Sequence, residues 1–290
     1  MMKHVLITGV SSGIGYDAVR YLTGRGWHVF ASVRKQSDVE RLEQEFTENF
    51  TCLKFDVTEP DGIRKAAAIV SKRLGNQKLA GLVNNAGYAV GGPMELLPDD
   101  VFRDQIEVNL IGARNVTNAF LPLLGTDTSR EGKPGRLIMV SSISGVLNTP
   151  LNGAYCVSKH ALESLAEVYR RELMNYGIQV SSIQPGPIES DLWPKNIGTL
   201  EKYLDTPYGT MAQNTELTMI GAQCNALPAE TISRLIEKIL TVDRPKLSYL
   251  VNKNPLLTWL LVHIIPRRMA DRLIWRQLNK AHCGSSCSSD

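Results

Sequence analysis

The chain has 290 residues, 43% of them hydrophobic and 21% charged, and a formal charge of +3 at neutral pH. That gives room for one α/β domain with an embellishment and a large core, and it excludes a disordered or fibrous chain. Nucleic-acid binding has no support, because the basic excess is confined to residues 251–290, where Lys253, Arg267, Arg268, Arg272, Arg276 and Lys280 outnumber Asp271 and Asp290 to leave +4, and the rest sums to −1.

Residues 3–8 (KHVLIT) read as a buried strand, apolar and β-branched. The strand runs into Gly9, Ser11, Ser12, Gly13, Ile14 and Gly15, and a helical pattern follows to about Gly24. A strand, a glycine turn and a helix form a phosphate-binding start, since glycine lets the backbone approach a pyrophosphate whose charge sits at the helix N-terminus. The spacing is GxxxGxG. A second strand over 27–33 ends at Arg34 and Lys35, where dinucleotide-binding folds carry an acid for the ribose hydroxyls. Two cations there favour a 2′-phosphate, hence NADP(H) over NAD(H), with Ser11 as a further donor. Helix 38–48, strand 52–55, helix 61–74 and strand 79–83 continue the alternation, which predicts a doubly wound parallel sheet. Two helices are expected over 99–108 and 112–124, with Asn109 between them. Strand 135–141 places Ser142 just past its carboxyl end, where such folds bind ligands.

The run 152–174 keeps apolar residues at helical spacing and has no proline. Tyr155 and Lys159, four apart, share a face of this helix. An ammonium one turn from a phenol stabilises the phenolate, so a Tyr155 pKa below the ordinary ~10 is expected. A tyrosine tuned in this way exchanges a proton with a reacting carbonyl. A last central strand covers 179–184 and ends in Pro185-Gly186.

TGVSSGIG at 8–15, Asp56-Val57, NNAG at 84–87, Asn109, Ser142, YCVSK at 155–159 and PG at 185–186 together resemble the short-chain dehydrogenase/reductase family over residues 3–190. The resemblance implies a Rossmann-type sheet, the Rossmann fold, and a catalytic set of Asn109, Ser142, Tyr155 and Lys159. In it Tyr155 is the general acid of reduction, Ser142 hydrogen-bonds the substrate oxygen, Lys159 binds the nicotinamide ribose, and Asn109 holds a water that links Lys159 to solvent. It further implies that Asp56 and Val57 contact adenine, that Asn85 lies along the cofactor, and that Ile188 reaches the carboxamide. Ser190 stands where the family often has threonine.

Beyond residue 190 the sequence shapes a variable lid, about 187–226. Leu192, Trp193, Tyr203, Tyr208, Met211, Leu217, Met219 and Ile220, with Tyr88, Val90, Met94 and Leu96, either wall a large apolar pocket for a lipophilic alcohol or ketone, or pack the lid onto the body. Ser11, Arg34 and the long C-terminus resemble the steroid- and retinol-dehydrogenase-like branch. A helix over 228–240 and an edge strand over 247–251 complete one catalytic domain, 1–251, and 252–282 is expected to be a helical extension in two pieces broken at Pro266. Its second helix puts Met269, Leu273, Ile274, Leu278 and Ala281 on one face. That stripe either rests on an anionic membrane or, the preferred reading, packs against protein at the pocket mouth or a second subunit.

The five cysteines, Cys52, Cys156, Cys224, Cys283 and Cys287, are an odd and scattered set, which points to free thiols in a reducing compartment. Cys283 and Cys287 beside His282 lack a second ligand pair, so no metal is expected, and 283–290 is expected to be a disordered tail. The N-terminus enters a strand without an apolar signal region, and the longest apolar run, 255–265, is about half of what spans a bilayer; the expected location is cytoplasmic. The expected protein is an oligomeric oxidoreductase, a homodimer or homotetramer. Its rivals are an epimerase or dehydratase using the same site and a nicotinamide-binding scaffold without turnover.

Overall fold

In the computed structural model, which describes residues 2–190 and 196–279, seven strands form one parallel sheet. They are β1 (Lys3–Thr8), β2 (Trp27–Val33), β3 (Phe50–Lys54), β4 (Gly81–Asn84), β5 (Arg136–Val140), β6 (Gln179–Pro185) and β7 (Ser248–Val251), in the order β3-β2-β1-β4-β5-β6-β7. The helices that cover and extend the sheet are α1 (Gly13–Thr23), α2 (Gln36–Glu45), α3 (Pro60–Leu74), α4 (Asp99–Ile106), α5 (Ala113–Leu121), α6 (Gly153–Glu172), α7 (Gly209–Cys224), α8 (Glu230–Thr241), α9 (Pro255–His263) and α10 (Arg267–Leu278). Strand order reverses between β1 and β4, so their carboxyl ends diverge and open a crevice.

A period of two in the strands builds both cores. Val5, Ile7, Val29, Ala31 and Ile138 face a cluster with Val19 and Leu22 of α1, Leu42 of α2 and Ile232 and Ile236 of α8. Leu6, Phe30, Leu82, Leu137 and Met139 face the opposite cluster with Val70 of α3, Phe120 of α5 and Leu162 of α6. Both faces are covered, which is why these strands read as continuous apolar runs.

One expectation is corrected. Residues 99–121 are not two helices parted at Asn109: α4 passes through a wide π-type turn, Glu107–Gly112, straight into α5. Gly112 permits the close approach, since a Cβ there would stand 2.6 Å from a methyl of Val57. A wide turn leaves the backbone continuous while rotating one side chain out of phase. That side chain is Asn109. The helices after β7 are also shorter than expected, stopping at His263 and Leu278. The expected tail, Leu192, Trp193 and the possible Cys283, Cys287 and His282 ligands lie outside the described residues. The three described cysteines, Cys52, Cys156 and Cys224, are free thiols.

Near the amino end of the sheet, His28 is buried on β2 with Nε2 2.9 Å from Thr51 Oγ1 and its ring 5.2 Å from that of His4. Burial, then the neighbouring His4 and Arg73, push the His28 pKa down to about 4. Between an unfolded value near 6.5 and the folded value near 4, the unfolded chain binds a proton that the folded chain refuses, so stability falls as pH drops through that window. His28→Gln removes this titration. Its urea midpoint is expected to fall less between pH 7 and pH 5 than that of the wild type, and equal falls would refute the assignment.

Candidate active site

The crevice floor is held by a lattice of short polar contacts. Asn85 Nδ2 donates to the carbonyls of Thr8 and Gly9, both at 2.9 Å, and Thr8 Oγ1 accepts from the amides of Asn85 and Ala86 at 3.0 Å. Gly9 turns at φ +68°, and a Cβ there would lie 2.7 Å from Ala86 Cα. A Cβ on Gly15 would strike the Gly9 carbonyl oxygen and stand 2.6 Å from Asn85 Nδ2. Ser12 is the extended N-cap of α1 and makes no side-chain cap, and no acid occupies the first turn of that helix. Free amides, an uncompensated positive helix end and a backbone stripped of side chains fit a pyrophosphate. Ile14 packs its side chain toward the core, and Ser190 lies beside Gly13.

Arg34 projects from the end of β2, 70% exposed, with Nη1 3.7 Å from Asp56 Oδ2. The other oxygen of Asp56 accepts from the Thr58 amide and hydroxyl at 3.0 and 2.8 Å, and Val57 next to it is buried. The expected adenosine residues therefore converge. Sequence reasoning missed Arg41, whose Nη2 donates to the Ser11 carbonyl at 2.7 Å and pairs with Asp38 at 3.3 Å. Its only signal was the Asp38-to-Arg41 spacing of three on one helix face. Lys35 is the exposed N-cap residue just before α2.

At the carboxyl end of β5, Ser142 is extended, nearly buried, and hydrogen-bonded to Tyr155. Its Oγ also accepts from the Ser144 amide at 3.1 Å, which fixes the rotamer. Lys159 Nζ donates to the Val140 carbonyl at 2.9 Å and lies 5.6 Å from the centroid of the Tyr155 ring. Asn109 is clamped on three sides: Nδ2 donates to the Tyr88 carbonyl at 2.9 Å and to Ser158 Oγ at 3.0 Å, and Oδ1 accepts from the Tyr88 amide at 3.0 Å. Gly87 sits between Asn109 and Lys159, since a Cβ there would lie 3.0 Å from Asn109 Oδ1 and 3.7 Å from Lys159 Nζ. The four expected catalytic residues thus gather at one place. Ile188 is buried at the root of the lid, in a bridge with Leu227.

The electrostatics correct the sequence argument. Burial pushes the Tyr155 pKa up to about 12, and the Ser142 hydrogen bond offsets only part of the rise. The ammonium does not win, because its own Nζ is directed at Val140 and desolvation of a phenolate outweighs a charge at that range. Burial also lowers Lys159, to about 8, against an opposing effect of Glu163 one turn on. Glu163, another residue missed from sequence, accepts from Ser182 Oγ at 2.8 Å.

The model of the short chain dehydrogenase family matches residues 3–199. This chain is a short-chain dehydrogenase. The dehydrogenase is 36% identical over 280 residues to NADPH-dependent 3-dehydrocapnine reductase of Ornithobacterium rhinotracheale, covering 96% of this chain and 98% of that one. It is 32% identical over 285 residues to human retinol dehydrogenase 5, covering 93% and 87%, in keeping with the branch expected from sequence. A short-chain dehydrogenase from Streptomyces avermitilis shares the fold with a TM-score of 0.75 at 24% identity, covering 89% and 90%. The chain is an oxidoreductase of this family.

The lid resolves one open alternative in part. Leu200, Tyr203 and Ala212 form a small cluster with Leu151, joined by Tyr208 and Met211, so Tyr203 and its neighbours pack the lid. Met94, Leu96, Leu217 and Ile220 remain exposed, and Met94 touches Gly153 at the start of α6. If the glycine cradle is the dinucleotide site, Gly15→Ala must lose cofactor binding while the distant sheet stays folded. Fluorescence titration is expected to show at least a tenfold weaker Kd with a far-ultraviolet spectrum like that of the wild type; unchanged binding would contradict the cradle.

Proposed function

We propose that this dehydrogenase is an NADP(H)-dependent reductase that interconverts a lipophilic alcohol with its ketone or aldehyde. The observation that carries the cofactor preference is the exposed Arg34 guanidinium poised over Asp56 at the end of β2, a cation where an acid would accept ribose hydroxyls. The name of the NADPH-dependent relative supports it. The apolar side chains left exposed on the lid side, Met94, Leu96, Leu217 and Ile220, support a lipophilic substrate.

When bound, the nicotinamide supplies the hydride. The chain does the rest. Ser142 and Tyr155 hold the carbonyl oxygen between them, and Tyr155 Oη gives it the proton as the alcohol forms. A Tyr155 whose burial keeps it protonated is suited to be the acid of a reduction. Lys159, lowered to about 8, keeps a proton near neutral pH that can restore the phenol. Asn109 fixes the Tyr88 backbone, next to the Gly87 that lies between Asn109 and Lys159. A homo-oligomer stays part of this reading, supported by the apolar groove that Leu110, Ile111, Ala161, Leu165 and Val168 line.

The test is a fluorescence titration with NADPH and NADH, followed by turnover on apolar ketones. NADPH is expected to bind at least tenfold more tightly, a preference that Arg34→Asp erases by removing a charged contact to the 2′-phosphate. Tyr155→Phe is expected to lower kcat by about 10²–10⁴ with a much smaller change in NADPH affinity. Equal affinities for the two cofactors would overturn the preference, and an active Tyr155→Phe would overturn the assignment of the acid.

A further inference from the structure

The segment after the sheet presents a surface that the dehydrogenase reaction does not use. Helix α9 carries no charged residue and is apolar nearly all round, which in a soluble protein marks a buried helix. Here only Thr258 is buried, tied to Asn252 Nδ2 at 2.7 Å, while Leu256 is 70% exposed, Leu257 63%, Trp259 46% and the following Ile264 60%. Pro266 then turns the chain into α10. On that helix Ala270, Ile274 and Leu278 recur every four residues toward the protein, and Asn214 of α7 donates to the Leu278 carbonyl at 2.8 Å. Met269, Leu273 and Trp275 are exposed instead, so among the described residues the stripe expected from sequence packs in protein through Ile274 and Leu278, and Ala281 lies outside the described residues. At helical spacing, Arg268, Arg272 and Arg276 occupy the middle of the outward face, with Met269 and Leu273 on one flank and Trp275 on the other.

Residues 253–279 sum to +4, from Lys253 and four arginines against Asp271. Among the described residues, none of Arg267, Arg268, Arg272 and Arg276 forms an ion pair, although Asp271 sits within the same helix. An unpaired guanidinium row flanked by exposed apolar side chains is complementary to phosphates lying at the edge of an apolar phase. A second copy of the chain is a poor occupant, because a two-fold interface would bring two +4 patches together. We propose that α9 and α10 dock this protein on an anionic lipid bilayer. Helix α9, about 13 Å long, is too short to span it and lies in the interfacial plane. Its leucines enter the acyl boundary, Trp259 and Trp275 sit at headgroup level, and the α10 arginines contact lipid phosphates. No helix of the described residues is long and apolar enough to cross a membrane. Because α10 packs on lid helix α7, the docked orientation turns the lid side toward the bilayer, the phase from which an apolar substrate arrives. The docking itself rests on the surface alone and not on the substrate reading.

The experiment is co-sedimentation of the full chain with vesicles of phosphatidylcholine, with and without phosphatidylglycerol, alongside tryptophan emission. The protein is expected to pellet with the anionic vesicles at low salt, with a blue-shifted emission, and to stay in solution with neutral ones. Each arginine near the surface is worth about fivefold in partitioning, so Arg268→Glu with Arg272→Glu is expected to weaken it by at least about 25-fold. Leu257→Asn is expected to weaken it as well, and both variants are to keep the wild-type far-ultraviolet spectrum and unfolding midpoint. Absence of pelleting with anionic vesicles, or partitioning indifferent to both variants, overturns the proposal. So does a halved mass of Leu257→Asn by light scattering, which would show that a second copy covers the patch.

Discussion

Desolvation at the carboxyl end of β5 governs the site. One helix, α6, carries both a phenol and an ammonium into a region where water is scarce, and both respond by favouring the uncharged form. The phenol is pushed up to about 12 and the ammonium down to about 8, so two groups whose proton affinities nearly match in water are driven apart, with the phenol holding its proton the more tightly. What opposes this drift is local and identifiable: Ser142 on the phenol, Glu163 on the ammonium, and the Val140 carbonyl that takes one Nζ proton. That separation keeps the proton on the phenol until the carbonyl takes it and makes its return from the ammonium downhill, which gives the proposed acid its physical basis.

The surroundings are rigid for related reasons. The crevice needs backbone at close quarters, and glycine alone allows the approach of Gly9 to Ala86 and of Gly15 to Gly9 and Asn85. Thr8 and Asn85 then satisfy the amides and carbonyls that such a turn leaves without sheet partners. On the other side, the wide turn at Glu107–Gly112 directs Asn109 inward, where Tyr88 and Ser158 use every polar atom it offers. The loop bearing Tyr88 is therefore anchored to the same helix pair as Lys159. A displacement of either is transmitted to the reacting groups.

The sheet was readable because its strands are buried on both faces, so that apolar β-branched runs such as 3–8 and 27–33 carry an unambiguous pattern. The gathering of Asn109, Ser142, Tyr155 and Lys159 was readable from motifs whose spacing the fold fixes. Depth was not. The expected drop in the Tyr155 pKa failed because helical spacing reports that Lys159 is near, but burial depends on what β5, Ser142 and the loops stack above the ring. The wide turn at Asn109 was hidden because apolar periodicity looks interrupted wherever one residue is added to a turn. Arg41 and Glu163 escaped notice because their partners, Ser11 and Ser182, lie on elements distant in sequence. On the lid, composition could not separate Tyr203, which packs, from Leu217, which stays exposed.

The most direct measurement is an ultraviolet difference titration of the cofactor-free protein against its Tyr155→Phe variant, following phenolate absorbance with rising pH. If burial outweighs the neighbouring ammonium, the difference shows no phenolate from Tyr155 up to about pH 10, where a free tyrosine is half ionised. A phenolate signal with a midpoint well below 10 would mean that Lys159 sets the tyrosine after all, and that the account of the site given by desolvation is wrong.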